Sequence, residues 1–190
     1  MDDISHLGGE TGMAKKITQY DLRRRTRRDR IWPEAGDLIY HRNSESGFIT
    51  IPRTLSMICT LVKLLGGKRD PSRVYFELWT RQRDDGFVEI DDPDELAQVC
   101  GFWSPSRAVR SLREALSALS DLGFIRLAPK GQRKFAFALI LHPHDVVQRI
   151  RHEEPRKIPS WWWALFEMRT DDIGARLRWE PPFGEFPDDL

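Results

Sequence analysis

The stretch from Asp92 to Leu141 constrains the fold most, because helix starts and stops are written into it at short intervals. Asp92-Pro93-Asp94-Glu95 reads as a capped helix start. Pro93 suits the first helical position, where its missing N–H is not needed, and acids in the first turn suit the helix dipole. That helix is predicted over Pro93 to Cys100, with Gly101 as its stop. Ser104-Pro105 opens a second, predicted to run to Leu122, with Val109, Leu112, Ala115, Leu116 and Leu119 on one face and Gly123 as its end. Phe124 to Leu127 and Lys134 to Leu141 read as strands around the turn Ala128-Pro129-Lys130-Gly131-Gln132-Arg133. This order predicts an α+β fold, mainly helical.

Upstream, Gly47-Phe48-Ile49-Thr50-Ile51 alternates and reads as a short strand. Pro52 opens a helix with Leu55, Ile58, Cys59, Val62 and Leu65 at helical spacing, stopped by Gly66-Gly67. Asp70-Pro71 caps the next, predicted through Arg83 with Val74, Tyr75, Leu78 and Trp79 inward. Phe87-Val88-Glu89-Ile90 is a short strand. Downstream, helices are predicted from Asp145 to His152 and from Ser160 to about Leu177. The domain organisation that follows is a basic, disordered arm over 1–30, a folded domain over 31–142, an aromatic helical part over 143–180 and an acidic tail over 181–190.

The net charge of +1 over 190 residues conceals segregation. Lys15 to Arg30 holds eight basic residues against Asp21 and Asp29. Asp84 to Glu95 holds seven acids and no Lys or Arg, and Ser104 to Lys157 holds eleven basic residues against five acids. Glu180 to Leu190 adds four acids and three prolines. Such a chain is polarised. No apolar run approaches the roughly 18 residues a bilayer requires, so no membrane is expected. Met1 to Glu10 lacks the plan of a signal peptide, and only Cys59 and Cys100 are present, which excludes a disulfide scaffold. A soluble, cytoplasmic protein is expected.

The residues Asp94-Glu95-Leu96-Ala97-Gln98-Val99-Cys100-Gly101, then Ser106-Arg107-Ala108-Val109, then Leu119-Ser120-Asp121-Leu122-Gly123-Phe124-Ile125 resemble the winged helix-turn-helix DNA-binding family. Phe48-Ile49-Thr50-Ile51-Pro52, a helix, and Arg73-Val74-Tyr75 ahead of that module are similar to the N-terminal domains of plasmid replication initiators. The general likeness covers about Ser72 to Leu141, and the narrower one adds Phe48 to Leu65. The resemblance implies a winged helix-turn-helix with N- and C-terminal extensions. It implies a double-stranded DNA partner, and a role in transcription regulation or in replication of a plasmid or mobile element. A homodimer or a partner protein both remain open.

On a helical wheel Ser106, Arg107, Arg110 and Arg113 fall opposite the apolar stripe, within about a third of the circumference. Arginines near a helix N-terminus oppose the dipole, a conflict that a phosphate or a guanine edge would relieve. Ser104 and Ser106 can hold phosphate, as can Lys130, Gln132, Arg133 and Lys134 around the hairpin tip. Arg23, Arg24, Arg25, Arg27 and Arg28 could lie along the DNA backbone or in the minor groove. Ordinary solvated surface is the competing reading for each group.

Enzyme readings fit poorly. His142-Pro143-His144-Asp145 lacks the H-E-x-x-H spacing, and His144 or Asp145 reads better as a helix cap. Gly8-Gly9 and Gly66-Gly67 lack the Gly-Lys-Ser/Thr ending of a phosphate loop. Asp84-Asp85 and Asp91-Asp92 read as turn and cap residues. No catalytic residue, metal or cofactor is expected, and both cysteines read as packing. Trp161, Trp162 and Trp163 are consecutive and fan over about 200° of a helix. With Phe166 they exceed a single core stripe, which predicts two Trp inward and one outward, available to a partner protein. An adaptor that binds protein through this helix is therefore the alternative function.

Overall fold

The computed structural model describes residues 18–35, 47–83, 85–175 and 177. The acidic tail, Lys15, Lys16, Asp84 and Gly8-Gly9 lie outside them. The contacts divide the chain into two units, residues 1–48 and residues 49–190.

In the first unit, α1 spans Gln19–Ile31. The sequence predicts disorder through residue 30, and a helix over the last part of that arm, from Gln19, is a departure from it. Residues 18–32 contain neither Gly nor Pro, and Gln, Leu and Arg are good helix formers. Thr26 Oγ1 donates to the Leu22 carbonyl at 3.1 Å, and Pro33 follows the helix. Tyr20, Leu22 and Ile31 are all exposed, so local propensity rather than an apolar stripe makes this helix.

The second unit contains α2 (Leu55–Gly66), a 3-10 turn at Gly67–Arg69, α3 (Ser72–Arg81), β1 (Phe87–Glu89) and α4 (Pro93–Val99). It continues with α5 (Ala108–Asp121), β2 (Ile125–Lys130), β3 (Arg133–Ile140), α6 (Pro143–Glu153) and α7 (Ser160–Asp172). The fold is α+β and mainly helical, with a three-stranded antiparallel sheet in the order β1-β3-β2. Val88 and Leu127 both register with Ala138, and Ile125 with Ile140. Helical spacing brings Ile58, Leu61 and Val62 to one face of α2, Val74, Tyr75 and Leu78 to one face of α3, and Leu112, Leu116 and Leu119 to one face of α5. These faces and the buried side of the sheet form one core.

Caps and turns explain most element ends. Asp92 accepts from the backbone N–H groups of Asp94 and Glu95, both at 3.0 Å, as its sequence predicts. Asp70 does not cap α3: it takes the Ser72 hydroxyl at 2.6 Å and pairs with Lys63. The segment 47–51 is not a strand, and its alternation leaves Phe48 and Ile51 exposed. Helix α5 starts at Ala108, four residues after the predicted Ser104. Ser104 precedes Pro105, and a residue before proline avoids helical geometry. Ser104 to Arg107 instead form a turn closed by the Ala108 N–H on the Ser104 carbonyl at 2.8 Å. Arg107, with φ −125 and ψ −10, still lies outside the helix.

The predicted caps of α6 are also corrected. His142, rather than His144 or Asp145, occupies the N-cap, its ring accepting from the Asp145 N–H. His144 turns into the core, where its Nε2 lies 2.7 Å from Thr54 Oγ1 and its ring meets the edge of Phe166. Burial holds its pKa below the ordinary 6.5, the neighbouring His142 lowers it further, and Asp145 raises it in part. The native state thus binds fewer protons than the unfolded state once pH falls below about 6.5. Stability contributed by neutral His144 is complete above that pH and is lost as pH falls toward the lower native value. Thermal melts from pH 8 to 5 should show this decline, and His144→Gln should flatten it. An identical pH slope in the variant would refute the assignment.

Candidate nucleic-acid interface

Helix α5 buries Leu112, Ala115, Leu116 and Leu119 and so turns Arg110 and Arg113 to solvent. The turn before it leaves Ser104, Ser106 and Arg107 exposed as well. The Gly101 turn between α4 and α5 has φ +85, and a Cβ there would press on the Arg73 guanidinium. Glycine thus permits the left-handed turn that links α4 to α5 and leaves room for the Arg73 guanidinium of α3.

The β2–β3 hairpin supplies the second side. Its tip carries Lys130, Gln132, Arg133 and Lys134, all exposed. A cleft of about 290 Å³ runs between α5 and this tip. Arg113 lines one wall, Gln132, Arg133 and Lys134 the other, over a floor that includes Leu112 and Phe135. No carboxylate lines it among the described residues. Three cations around such a cleft can receive a polyanion, and the planar guanidinium can bind phosphate or a base edge with two parallel bonds.

The cations are not equally available. Arg110 pairs with Glu114 one turn later at 3.0 Å, on an exposed surface where such pairs are weak. That pair partly answers the conflict with the helix dipole. Arg133 has a structural task unseen in the sequence: its Nη1 donates to the carbonyls of Ile90 at 3.4 Å and Asp91 at 3.0 Å, tying the hairpin to the β1–α4 turn. Lys130 Nζ lies 5.5 Å from the centre of the Phe137 ring. Ser104 and Ser106 sit in the turn, not on the helix.

Trp103 is a residue the sequence reading passed over. It is 75% exposed in the same turn, beside Ser104. The signal was available: an indole between a stop glycine and a Ser-Pro start belongs to neither helix stripe.

In the first unit, Arg23, Arg24, Arg25 and Arg27 are exposed, and Arg28 is half-buried and paired with Asp29 at 2.6 Å. A helix about 10–12 Å across exceeds a minor groove roughly 6 Å wide, so the helical arm does not fit that groove.

The aromatic residues of α7 separate by burial. Trp162 and Phe166 are in the core, stacked at 5.0 Å, with Trp162 Nε1 donating to the Met57 carbonyl at 3.1 Å. Both are thereby withdrawn from any partner surface. Trp163 is half-buried with the Arg151 guanidinium 5.4 Å from its ring centre, and Trp161 is 56% exposed.

Burial pushes the thiols of Cys59 and Cys100 up to about 11, which leaves them protonated and unreactive near neutrality. Among the described residues no group of three or more His, Cys, Asp or Glu could hold a metal ion. Nor is any described helix long and apolar enough to cross a membrane. No protein-family model matches the chain, and neither a curated protein nor a solved structure matches it.

Proposed function

We propose that the chain is a sequence-specific double-stranded DNA-binding protein in which α4, α5 and the β2–β3 hairpin act as a winged helix-turn-helix, without catalysis. One observation carries this reading: the cleft between α5 and the hairpin tip gathers Arg113, Gln132, Arg133 and Lys134 with no opposing carboxylate among the described residues. Helix α5 enters the major groove, with Arg107 and Arg110 at base edges. Lys130, Lys134 and the remaining donors of Arg133 hold phosphates beside the groove, as do Ser104 and Ser106. Trp103 packs on the sugar–phosphate edge next to the helix start. Transcription control or replication of a plasmid or mobile element is the setting such a module serves.

The test is selection from a random duplex library at physiological salt, followed by footprinting. A recovered site should span one groove face, and a half-site repeated at one-turn spacing would mark a dimer. On that site Arg110→Ala should cost about 1–3 kcal/mol and relax preference at one position, while Lys130→Ala should weaken all sequences alike. Trp103→Ala should weaken binding without lowering the melting temperature. Failure to enrich any sequence would exclude specific recognition.

A second reading is supported by a separate observation. Trp161, Leu165 and Met168, at i, i+4 and i+7 of α7, are all exposed large apolar side chains. They form a stripe suited to an adaptor that binds protein.

A further inference from the structure

A cavity of about 350 Å³ lies where the end of α5 and the start of β2 meet the first turns of α6. Ile125, Leu141 and Val146 give it an apolar wall, and charge enters through Arg126, Asp145 and Arg149. Its volume is at the lower end of the roughly 300–1,000 Å³ typical of small-molecule sites, which combine apolar walls with a few fixed polar groups.

The charges are not equivalent. Asp145 Oδ1 is enclosed and faces the His142 ring, whose Nδ1 stands 3.1 Å away. The backbone N–H of Asp145 donates to that same Nδ1, so the ring nitrogen has no proton to give Oδ1, which accepts no hydrogen bond among the described residues. Arg149 differs. Its Nη2 donates to the Leu122 carbonyl at 3.0 Å. The guanidinium lies so close over Gly123 (φ +78) that a Cβ there would collide with Nη2. Glycine leaves this guanidinium room over the turn, one hydrogen bond orients it, and only one of its five N–H donors is so engaged among the described residues. A pre-positioned arginine loses little freedom when it binds a carboxylate through two parallel bonds.

We propose that this cavity binds a small apolar carboxylate, with its hydrocarbon body against Ile125, Leu141 and Val146 and its carboxylate on Arg149. The site lies apart from the cleft between α5 and the hairpin tip, shares no lining residue with it and does not depend on DNA binding.

The experiment is calorimetric titration of the full chain, without DNA, with 1-naphthoate and with 1-naphthamide, which has the same shape and no charge. Naphthoate should bind at one site per chain, and the amide about tenfold more weakly or worse. Arg149→Met keeps an apolar stem and should reduce naphthoate to the level of the amide. That change also removes the bond to Leu122, so Leu141→Trp provides the second variant. It fills the cavity, leaves Arg149 in place and should abolish binding of both compounds. The proposal is overturned if wild-type protein takes up no naphthoate at millimolar concentration. It is equally overturned if acid and amide bind alike, or if folded Leu141→Trp binds as well as wild type.

Discussion

Trp162→Ala is expected to destabilise the second unit by about 3–5 kcal/mol, the range for deleting a fully buried aromatic side chain. Trp162 is 1% exposed, stacks on Phe166 and donates its indole N–H to the Met57 carbonyl. Its removal leaves a void between α7 and α2, strips Phe166 of a stacking partner and loses that bond. A loss of this size is a large part of the about 5–15 kcal/mol that holds an ordinary domain together. Trp161 provides the control one residue away. Exposed and outside the core, Trp161→Ala should shift stability by no more than about 0.5 kcal/mol. Thermal melting of the two variants separates them. Sedimentation of the Trp161 variant then tests the adaptor reading, because an interface anchor should lose association while keeping its melting temperature. Equal melting of Trp162→Ala and wild type would show that α7 does not complete this core.

The difference between those two tryptophans was only partly legible in the sequence. Spacing showed that three consecutive Trp cannot share one face. It could not show which faces α2, because that depends on the register in which α7 docks. Local chemistry was more readable. Asp92 caps α4 because a short acid before Pro93 has one good use, and the Gly101 and Gly123 stops fall where positive φ is needed. The readings that failed lacked a tertiary term. Residues 47–51 alternate like a strand, yet a strand is made by its ladder, which alternation alone does not supply. The arm is polar like a disordered segment, yet it contains no helix breaker from residue 18 to 32. Charge at the candidate interface was visible as composition. The bond from Arg133 to the β1–α4 turn was not, because it joins residues more than forty positions apart.

The pair Arg113→Glu and Lys134→Glu, made together, is expected to reduce duplex affinity about 100-fold or more, from the loss of two charge-assisted contacts. These positions are chosen because they face one another across the cleft and make no hydrogen bond or ion pair through their side chains among the described residues. Arg133 would be a poorer choice, since its replacement also releases the hairpin from Ile90 and Asp91. Both side chains are exposed, so the doubly substituted protein should melt within about 0.5 kcal/mol of wild-type stability. The mechanism makes a second demand. If both side chains neutralise phosphates, each loss removes a released counterion, and the slope of log affinity against log salt should fall by about two. Affinity and slope must change together, because a lost base contact lowers affinity and leaves the slope intact. Titrations at several salt concentrations measure both quantities on the same duplex. Unchanged affinity in the folded variant would remove this cleft from the DNA-binding face, and the cations of α5 and the hairpin would then be solvated surface.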